Sequence, residues 1–242
     1  MRPFADEIFV IDDLANRKHD CDILLEQGFR FNHESRYMGL VPLHCKLLLG
    51  PAYALLREEF YEVKTRARAR TGIIGNILVF YGGSDLTGET EKAICALERG
   101  ALPNVQVHVV VGSSNVRKEI IRALCERQGF FYYEQVNNIA KMMDDADIML
   151  GAGGGTALER CFLKLPSIVT ATAENQREGC ECCAQLGLAE YLGFYDVVSV
   201  DLIAEKLRSM GKKELMNMAE NCAAVFQCGY NFDSEKNRRR CT

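Results

Sequence analysis

The chain has 242 residues, 48% hydrophobic and 26% charged, and its 33 acidic against 29 basic side chains give a formal net charge of −4. This composition is typical of a globular chain of one or two domains, and the acidic balance argues against nucleic acid as a partner. No apolar run approaches the roughly 18 residues of a membrane-spanning helix, and the N-terminal sequence does not have the pattern of a secretory signal. We therefore expect a cytoplasmic protein without a membrane span.

The first 75 residues carry three short apolar runs and little helical pattern. They predict strands within residues 7–13, 21–27 and 45–50, followed by a short helix over residues 53–60. Three short strands do not make a complete domain, so residues 1–61 are interpreted as the remnant of an N-terminal domain. The basic, turn-rich stretch 62–75 predicts a solvated linker between domains.

From residue 76 onward, apolar runs rich in Val and Ile alternate with helical patterns. Strands are predicted at 76–83, 105–112, 130–134, 147–155, 167–173 and 196–200. Helices are predicted around 89–99, 116–128, 139–145, 156–165, 203–210 and 213–226, and a further helix follows the strand at 167–173 and ends near residue 186. Strands that are each followed by a helix indicate a parallel sheet covered on both faces. The sequence therefore predicts a doubly wound α/β domain over residues 76–228, followed by a frayed polar tail, 229–242.

Glycine and small polar residues follow three of these strands. The loops read GGSD (82–85), GAGGGT (151–156) and ENQ (174–176). Because ligands of open α/β sheets bind outside the carboxyl ends of the strands, we expect the three loops to line one edge. Glycines let the backbone approach a ligand and helix N-termini favour anions, so the second loop predicts a diphosphate site. Glu159, one turn into the following helix, can accept hydrogen bonds from ribose hydroxyls.

The same residues also fit roles that need no ligand. Thr156 and Glu159 have the spacing of a helix capping box, and Asn175 with Glu178 fits an N-cap followed by a carboxylate. Asp85 fits a residue that starts a turn before the next helix. Both interpretations remain open from the residues alone.

Metal binding is not predicted. The cluster Cys180, Cys182 and Cys183 lacks a second cysteine pair at zinc spacing, and the four histidines show no ligand spacing. The acidic run Asp144–Asp147 precedes a strand, at the edge opposite to the glycine loops, and reads as a helix C-terminus and turn. His108 is predicted to be buried beside a strand. The remaining cysteines behave as small hydrophobic residues in a reducing compartment.

Five segments together, in one order along nearly the whole chain, resemble the PseG-type hydrolases. They are VIDDLANRKHDCDILLEQ (10–27), LLLGPAYALLREEF (47–60), YGGSD (81–85), GAGGGTALER (151–160) and AENQ (173–176). These enzymes of pseudaminic acid biosynthesis are related to the MurG-like glycosyltransferases of the GT-B fold. The resemblance implies a GT-B-like fold with a Rossmann-like N-terminal domain. It also implies hydrolysis of UDP-2,4-diacetamido-2,4,6-trideoxy-β-L-altropyranose to UDP and the free sugar, without a cofactor or an obligatory metal.

The resemblance also implies a set of ligand-binding residues. The diphosphate is expected at Gly154, Gly155 and Thr156, the ribose at Glu159, and the uracil near Asn138 and Ile139. The sugar side of the cleft is expected to involve Gly83, Ser84, Asp85, Asn175, Gln176, Asp12, Asp13 and Arg57. Of these, Asn175 is the one expected to support catalysis.

One departure from the family limits these expectations. The family begins with a strand, a G-x-G-H turn and a helix, and the resemblance assigns the water-activating base to that histidine. This chain has no such segment, so we expect no catalytic base within it and an impaired, truncated hydrolase. An open sheet edge in the N-terminal remnant predicts self-association. The alternatives are the donor-binding half of a GT-B glycosyltransferase and a non-catalytic fragment that binds a UDP-sugar.

Overall fold

The computed structural model describes residues 2–100 and 102–226. By its contacts the chain divides into two compact units. The described part of the first comprises residues 2–55 and 224–226, and the second is Leu56–Ala223. The predicted tail, residues 229–242, lies outside the described residues.

The first unit contains the three parallel strands that its apolar runs predict. They are β1 (Phe9–Ile11), β2 (Ile23–Glu26) and β3 (Lys46–Leu49), in the order β1-β2-β3. A four-residue helix, α1 (His33–Arg36), lies between β2 and β3 in the chain and was not predicted. Cys21, Leu24 and Tyr37 form the buried core of this sheet.

The helix predicted over residues 53–60 is displaced toward the C-terminus. A 3-10 turn occupies Pro51–Tyr53, and α2 runs over Glu58–Lys64. Arg57 has an extended backbone, and two glutamates fill the first turn of α2, where negative charge is favourable. The boundary predicted at residue 61 therefore falls inside α2, whereas the two units divide between Leu55 and Leu56.

The second unit has alternating strands and helices, which confirms the doubly wound α/β class. Its strands are β4 (Asn76–Phe80), β5 (Gln106–Val111), β6 (Phe131–Glu134), β7 (Ile148–Ala152), β8 (Ser167–Ala171) and β9 (Glu190–Phe194). The helices after α2 are α3 (Glu89–Gly100), α4 (Lys118–Gln128), α5 (Ile139–Asp145), α6 (Thr156–Phe162), α7 (Arg177–Gln185), α8 (Val200–Ser209) and α9 (Lys212–Val225). All neighbouring strands are parallel, in the order β6-β5-β4-β7-β8-β9.

Alternate strand residues supply the main core of this unit. Ile77, Val79, Val109 and Ile148 belong to the buried cluster that also includes apolar residues of α3 and α8. β7 and β8 are buried along their whole length, as expected for central strands covered on both faces.

The last predicted strand was wrong. Residues 195–197 form a turn, Val198 and Ser199 lie in neither a helix nor a strand, and the sixth strand of this sheet is β9, Glu190–Phe194. Ser199 stands at the N-cap of α8, where its side-chain oxygen accepts a hydrogen bond from the Leu202 backbone N–H at 3.1 Å. Val198 is buried in the core, so its apolar character reflects packing before a helix and not a strand.

The basic stretch predicted as a solvated linker, residues 62–75, belongs to the second unit, and two of its arginines bind carbonyls elsewhere in that unit. Arg68 donates to the Asp144 carbonyl at 2.7 Å and to Asp147 Oδ1 at 2.6 Å. Arg70 donates to the carbonyls of Met143, Asp144, Ala146 and Leu163. Burial lowers the pKa of Arg70 to about 10. The two guanidinium groups thus satisfy carbonyls at the C-terminus of α5, as cations near helix C-termini do.

No helix in the described part of the chain combines the length and apolarity needed to cross a bilayer.

We predict that Arg70→Ala lowers the free energy of unfolding by about 1.5–3 kcal/mol, because several buried carbonyls lose a charged donor. Arg66 is exposed in the same basic stretch, and Arg66→Ala should change the free energy of unfolding by less than about 0.5 kcal/mol. Urea denaturation of both variants measures the difference. Equal stability of the two variants would contradict the structural role of Arg70.

Candidate functional site

The strand order reverses between β4 and β7. From β4 the chain moves outward through β5 to β6, and it then returns to the other side of β4 to form β7, β8 and β9. At such a reversal the connections leave in opposite directions and open a crevice at the carboxyl ends of the strands. Gly83 follows β4 and Gly155 follows β7, so both stand at this crevice.

A cavity of about 420 Å³ occupies the crevice. This volume lies within the range of small-molecule sites. It is lined by Arg57, Phe80, Gly83, Val110, Val111, Gly112, Gln135, Val136, Ile139, Gly155, Thr156 and Glu159. Six residues of the predicted site are therefore brought together in one place: Arg57, Gly83, Ile139, Gly155, Thr156 and Glu159.

The three glycines of the 153–155 loop have different surroundings. A Cβ on Gly153 would overlap the Sγ atom of Cys180, whereas a Cβ on Gly154 would lie 3.2 Å from Gln176 Nε2. Gly155 has no heavy atom within 4 Å of that position and lines the cavity. Gly153 is required by packing against α7, while Gly155 leaves space on the cavity side.

The structure contains neither the capping box predicted for Thr156 and Glu159 nor the N-cap predicted for Asn175. Gly155 is the N-cap of α6 and makes no side-chain cap, while Thr156 Oγ1 donates to the Ala152 carbonyl at 3.4 Å. α7 begins at Arg177 after a 3-10 turn over Glu174–Gln176, so Asn175 is not its N-cap. The capping box and the Asn175 cap were therefore wrong as explanations of these motifs.

Glu159 belongs to a carboxylate–guanidinium–carboxylate group at the rim of the cavity. Arg57 Nη2 donates to Glu159 Oε1 at 3.2 Å, and Arg57 Nη1 lies 2.8 Å from Glu59 Oε1. The second carboxylate oxygen of Glu59 accepts from the Ala140 backbone N–H at 3.2 Å. Helices α2, α5 and α6 are thereby joined at the cavity by three polar contacts.

Burial raises the pKa of Glu159, whose side chain is 18% exposed. The positive charge and hydrogen bond of Arg57 act in the opposite direction, and the nearby Glu59 carboxylate raises the pKa further. The group therefore offers a desolvated acceptor whose ionised form depends on Arg57.

Asp85 binds backbone N–H groups at the start of α3. Its two carboxylate oxygens accept from the backbone N–H groups of Glu89 at 3.0 Å and Thr90 at 2.8 Å. The Gly88 N–H donates to the Asp85 carbonyl, which closes the turn before α3. Asp85 is buried and does not line the cavity, so the turn explains it without a ligand.

The other predicted residues lie around the cavity without lining it. Ser84 and Asn175 are exposed. Gln176 Oε1 accepts from the Thr172 backbone N–H at 2.9 Å, which holds the 174–176 turn against the glycine loop. Asn138 lines a different cavity of about 310 Å³, together with His108 and Tyr133.

Asp12 and Asp13 belong to the first unit, at the carboxyl end of β1. Asp12 is buried, and its Oδ2 accepts from the Ala15 N–H at 2.8 Å and from Tyr37 Oη at 3.1 Å. Asp13 is exposed, and its carbonyl accepts from Arg36 at 3.2 Å. Asp12 thus stabilises the loop after β1 through hydrogen bonds within the protein, and these contacts explain it without a ligand.

Sequence reasoning missed the loops after β5 and β6. A Cβ on Gly112 would overlap the Gly83 carbonyl, and Ser114 Oγ donates to that carbonyl at 3.0 Å. Gln135 and Val136 close the cavity beyond β6. The one available signal was the GSSN sequence directly after the valine-rich strand, since small residues at a strand end allow backbones to approach.

The cysteine cluster lies behind the glycine loop, around a buried arginine. Cys180, Cys182 and Cys183 are buried in α7, and Arg160 Nη1 lies 3.2 Å from Ser167 Oγ. Hydrogen bonds from Cys183 and Cys222 hold the pKa of Cys161 well below its usual range. Within residues 2–100 and 102–226 no group of three His, Cys, Asp or Glu side chains is arranged to hold a metal ion.

His108 was predicted to be buried beside a strand; it lies in β5 but is half-buried, and it lines the 310 Å³ cavity. Its Nδ1 lies 3.1 Å from Tyr133 Oη, and its ring stacks on Phe131 with a centroid separation of 4.9 Å. Burial lowers its pKa.

We predict that Gly153→Ala lowers the free energy of unfolding by about 1–3 kcal/mol through overpacking against Cys180. Cys180→Ala removes the overlapping sulfur and leaves its Cβ 3.7 Å from the added methyl group, so the double variant should recover part of the loss. Thermal denaturation of the four proteins gives the coupling. Gly155→Ala is the control, with an expected change within about 0.5 kcal/mol. Strictly additive effects would contradict this packing.

No protein-family model matches the chain. It is 30% identical over 156 residues to the spore coat polysaccharide biosynthesis protein SpsG of Bacillus subtilis, covering 63% of this chain and 43% of that protein. It is 25% identical over 173 residues to the UDP-2,4-diacetamido-2,4,6-trideoxy-beta-L-altropyranose hydrolase of Campylobacter jejuni, covering 71% of this chain and 60% of the hydrolase. The chain thus spans less than two thirds of each of these curated relatives.

Among solved structures, MurG of Acinetobacter baumannii matches with a TM-score of 0.59 at 15% identity, over 85% of this chain and 62% of MurG. That likeness establishes the α/β fold of the GT-B glycosyltransferases. The similarity to the Campylobacter hydrolase confirms the resemblance to the PseG-type hydrolases, and the likeness to MurG shows that the chain has the fold of the GT-B glycosyltransferases.

Proposed function

We propose that the second unit binds the UDP part of a nucleotide sugar in the 420 Å³ cavity. We further propose that the protein is a UDP-sugar hydrolase that releases UDP and a 2,4-diacetamido-2,4,6-trideoxy hexose, with slow turnover by residues 1–242 alone because no water-activating base is expected among them. The observation that carries the proposal is the convergence of Gly155, Thr156, Glu159 and Arg57 on the cavity at the strand-order reversal. The similarity to the Campylobacter hydrolase supplies the substrate class.

The cavity offers a suitable partner for each part of UDP. Glu159 presents a carboxylate acceptor to the two ribose hydroxyls, and Gly155 and Thr156 bring backbone close to the diphosphate. Val111, Val136 and Ile139 form an apolar wall that suits the flat face of uracil. We assign supporting positions beside the diphosphate to Gly154, Asn175 and Gln176. Asn138 lines the other cavity, of about 310 Å³, so its contact with uracil remains a prediction of the resemblance, as do the roles of Asp13 and Ser84.

Hydrolysis breaks the bond between the anomeric carbon and the diphosphate oxygen. Water supplies the new oxygen on the sugar and loses one proton to the solvent, and UDP leaves with the electron pair of the broken bond. Negative charge therefore develops on the diphosphate, and Arg57 is the cation that lines the cavity. A positioned cation lowers the free energy of that charge-separated transition state.

A glycosyltransferase of the same fold is the second candidate, because the chain shares its fold with MurG. The two activities differ in the fate of the sugar. Incubation of the protein with the UDP-sugar in the absence of an acceptor should release free sugar if it is a hydrolase. Release only after an acceptor is added identifies a transferase, and binding without turnover identifies a non-catalytic binding protein.

Glu159→Ala should weaken UDP binding by about 1–3 kcal/mol, or roughly 5- to 150-fold in Kd, because a charged acceptor is lost. Isothermal titration calorimetry measures the change. Glu126→Ala, at an exposed position of α4 that does not line the cavity, serves as the control. Unchanged UDP affinity in a folded Glu159→Ala protein would refute the ribose assignment.

Affinity for uridine should fall as the pH is lowered through the raised pKa of Glu159, above its ordinary value of 4.5. The protonated carboxyl is a poorer acceptor for two hydroxyls than the carboxylate. The contribution of Glu159 to the free energy of unfolding changes with pH in the opposite direction. Because the pKa of this carboxyl is raised in the folded protein, its stabilising contribution is complete at low pH and is lost as the pH rises through the folded pKa. Acid loss of binding therefore does not reflect unfolding at Glu159. A pH series on Glu159→Gln should be flat in this window, and a matching decline there would assign the titration elsewhere.

A further inference from the structure

Glu59 connects two elements of the cavity through a single carboxylate. Its Oε1 atom lies 2.8 Å from Arg57 Nη1, and its Oε2 atom accepts from the Ala140 N–H at 3.2 Å. Ala140 is the second residue of α5, whose N-cap residue Asn138 makes no side-chain cap. Glu59 therefore supplies an acceptor to an N–H group that a helix N-terminus leaves without an intrahelical partner.

Arg57 divides its guanidinium between two carboxylates. Nη1 faces Glu59 and Nη2 donates to Glu159 Oε1 at 3.2 Å. The side chain of Arg57 is 56% exposed, whereas those of Glu59 and Glu159 are 23% and 18% exposed. The two glutamates are thus the more fixed partners, and Arg57 is the member of the group with room to move.

A ribose bound as proposed above would change this arrangement. Its hydroxyls would donate to the Glu159 carboxylate, where they would compete with Arg57 Nη2 for Oε1. Arg57 would keep its second contact, because Glu59 is itself anchored to the backbone of α5. The Nη2 group would then remain at the cavity, which Arg57 lines.

We propose that Glu59 is a positioning residue that retains Arg57 at the cavity for the diphosphate once the ribose has taken over Glu159. This inference rests on the proposed function, since it requires a nucleoside diphosphate in the cavity. Glu59 touches neither the ribose nor the phosphates and acts through Arg57. Its effect should therefore depend on whether the ligand carries phosphate.

Glu59→Gln should weaken UDP binding by about five- to tenfold and uridine binding by less than about twofold. The amide still accepts one hydrogen bond but no longer attracts the guanidinium by charge. Glu58→Gln is the matched control, because Glu58 is exposed in the same helical turn and the charge change is identical. Calorimetry with uridine and UDP on the wild type and both variants gives the comparison.

A double-variant cycle separates positioning from a general effect on α5. In an Arg57→Gln background, Glu59→Gln should have no further effect on UDP affinity. Equal loss of affinity for uridine and UDP in Glu59→Gln would overturn the proposal and leave Glu59 with the role of a helix cap only. UDP affinity in Glu59→Gln equal to that in Glu58→Gln would also overturn it. If Glu59→Gln does not fold, Arg57→Gln alone must show the UDP-selective loss, and its absence overturns the proposal. Failure of the wild type to bind UDP would instead refute the proposed function.

Discussion

The reversal of strand order between β4 and β7 determines where this molecule can hold a ligand. Parallel strands need crossover connections, and connections that leave in opposite directions cannot cover the carboxyl ends of the two strands between them. Glycines line this crevice. The backbone of Gly83 lies so close to Gly112 that a side chain at Gly112 would overlap the Gly83 carbonyl. The sheet therefore gives the cavity its shape, while its charged groups come from α2 and α6.

The position of α5 depends on side chains that precede the sheet in the chain. α5 has only seven residues, too few for an isolated helix to be stable in water. Its C-terminal carbonyls are bound by Arg68 and Arg70, and its Ala140 N–H is bound by Glu59. Since Ile139 lines the cavity, the segment from Glu59 to Arg70 sets one wall of the site. Basic residues that look solvated in the sequence are in this way part of the site's framework.

The sequence alone predicted the parts of the structure that rest on periodicity. The valine- and isoleucine-rich strands are where their apolar runs indicated, and α5 matches its predicted bounds, Ile139–Asp145. The segment 196–200 was mistaken for a strand because two adjacent valines gave it an apolar character, yet Val198 is buried in the core and Val197 is exposed.

Contacts between residues far apart in the chain could not be predicted. The pairing of Arg57 with Glu159 spans 102 positions, and that of Ala140 with Glu59 spans 81. The segment LREEF carried both Arg57 and Glu59, yet its spacing gives no sign of which carboxylate faces the cavity. The capping box failed for a related reason. Thr156 and Glu159 have the required spacing, but Glu159 pairs with Arg57, and only the tertiary structure reveals that competition.

The balance of charge in the cavity explains why one arginine has two carboxylate partners. Burial alone would drive Glu159 toward its neutral form, and a neutral carboxyl is a poorer acceptor for ribose. Two unit charges about 4 Å apart attract by about 4 kcal/mol at an effective dielectric constant of 20, and doubling the distance halves the attraction. Arg57 can thus lose its direct contact with Glu159 and still favour the carboxylate, provided that it does not leave the cavity. A chain with a net charge of −4 that is to bind a diphosphate needs that local cation for the ligand as well. Both requirements are met if Arg57 is held through the terminal nitrogen that does not contact Glu159, and Nη1 is the atom that Glu59 contacts.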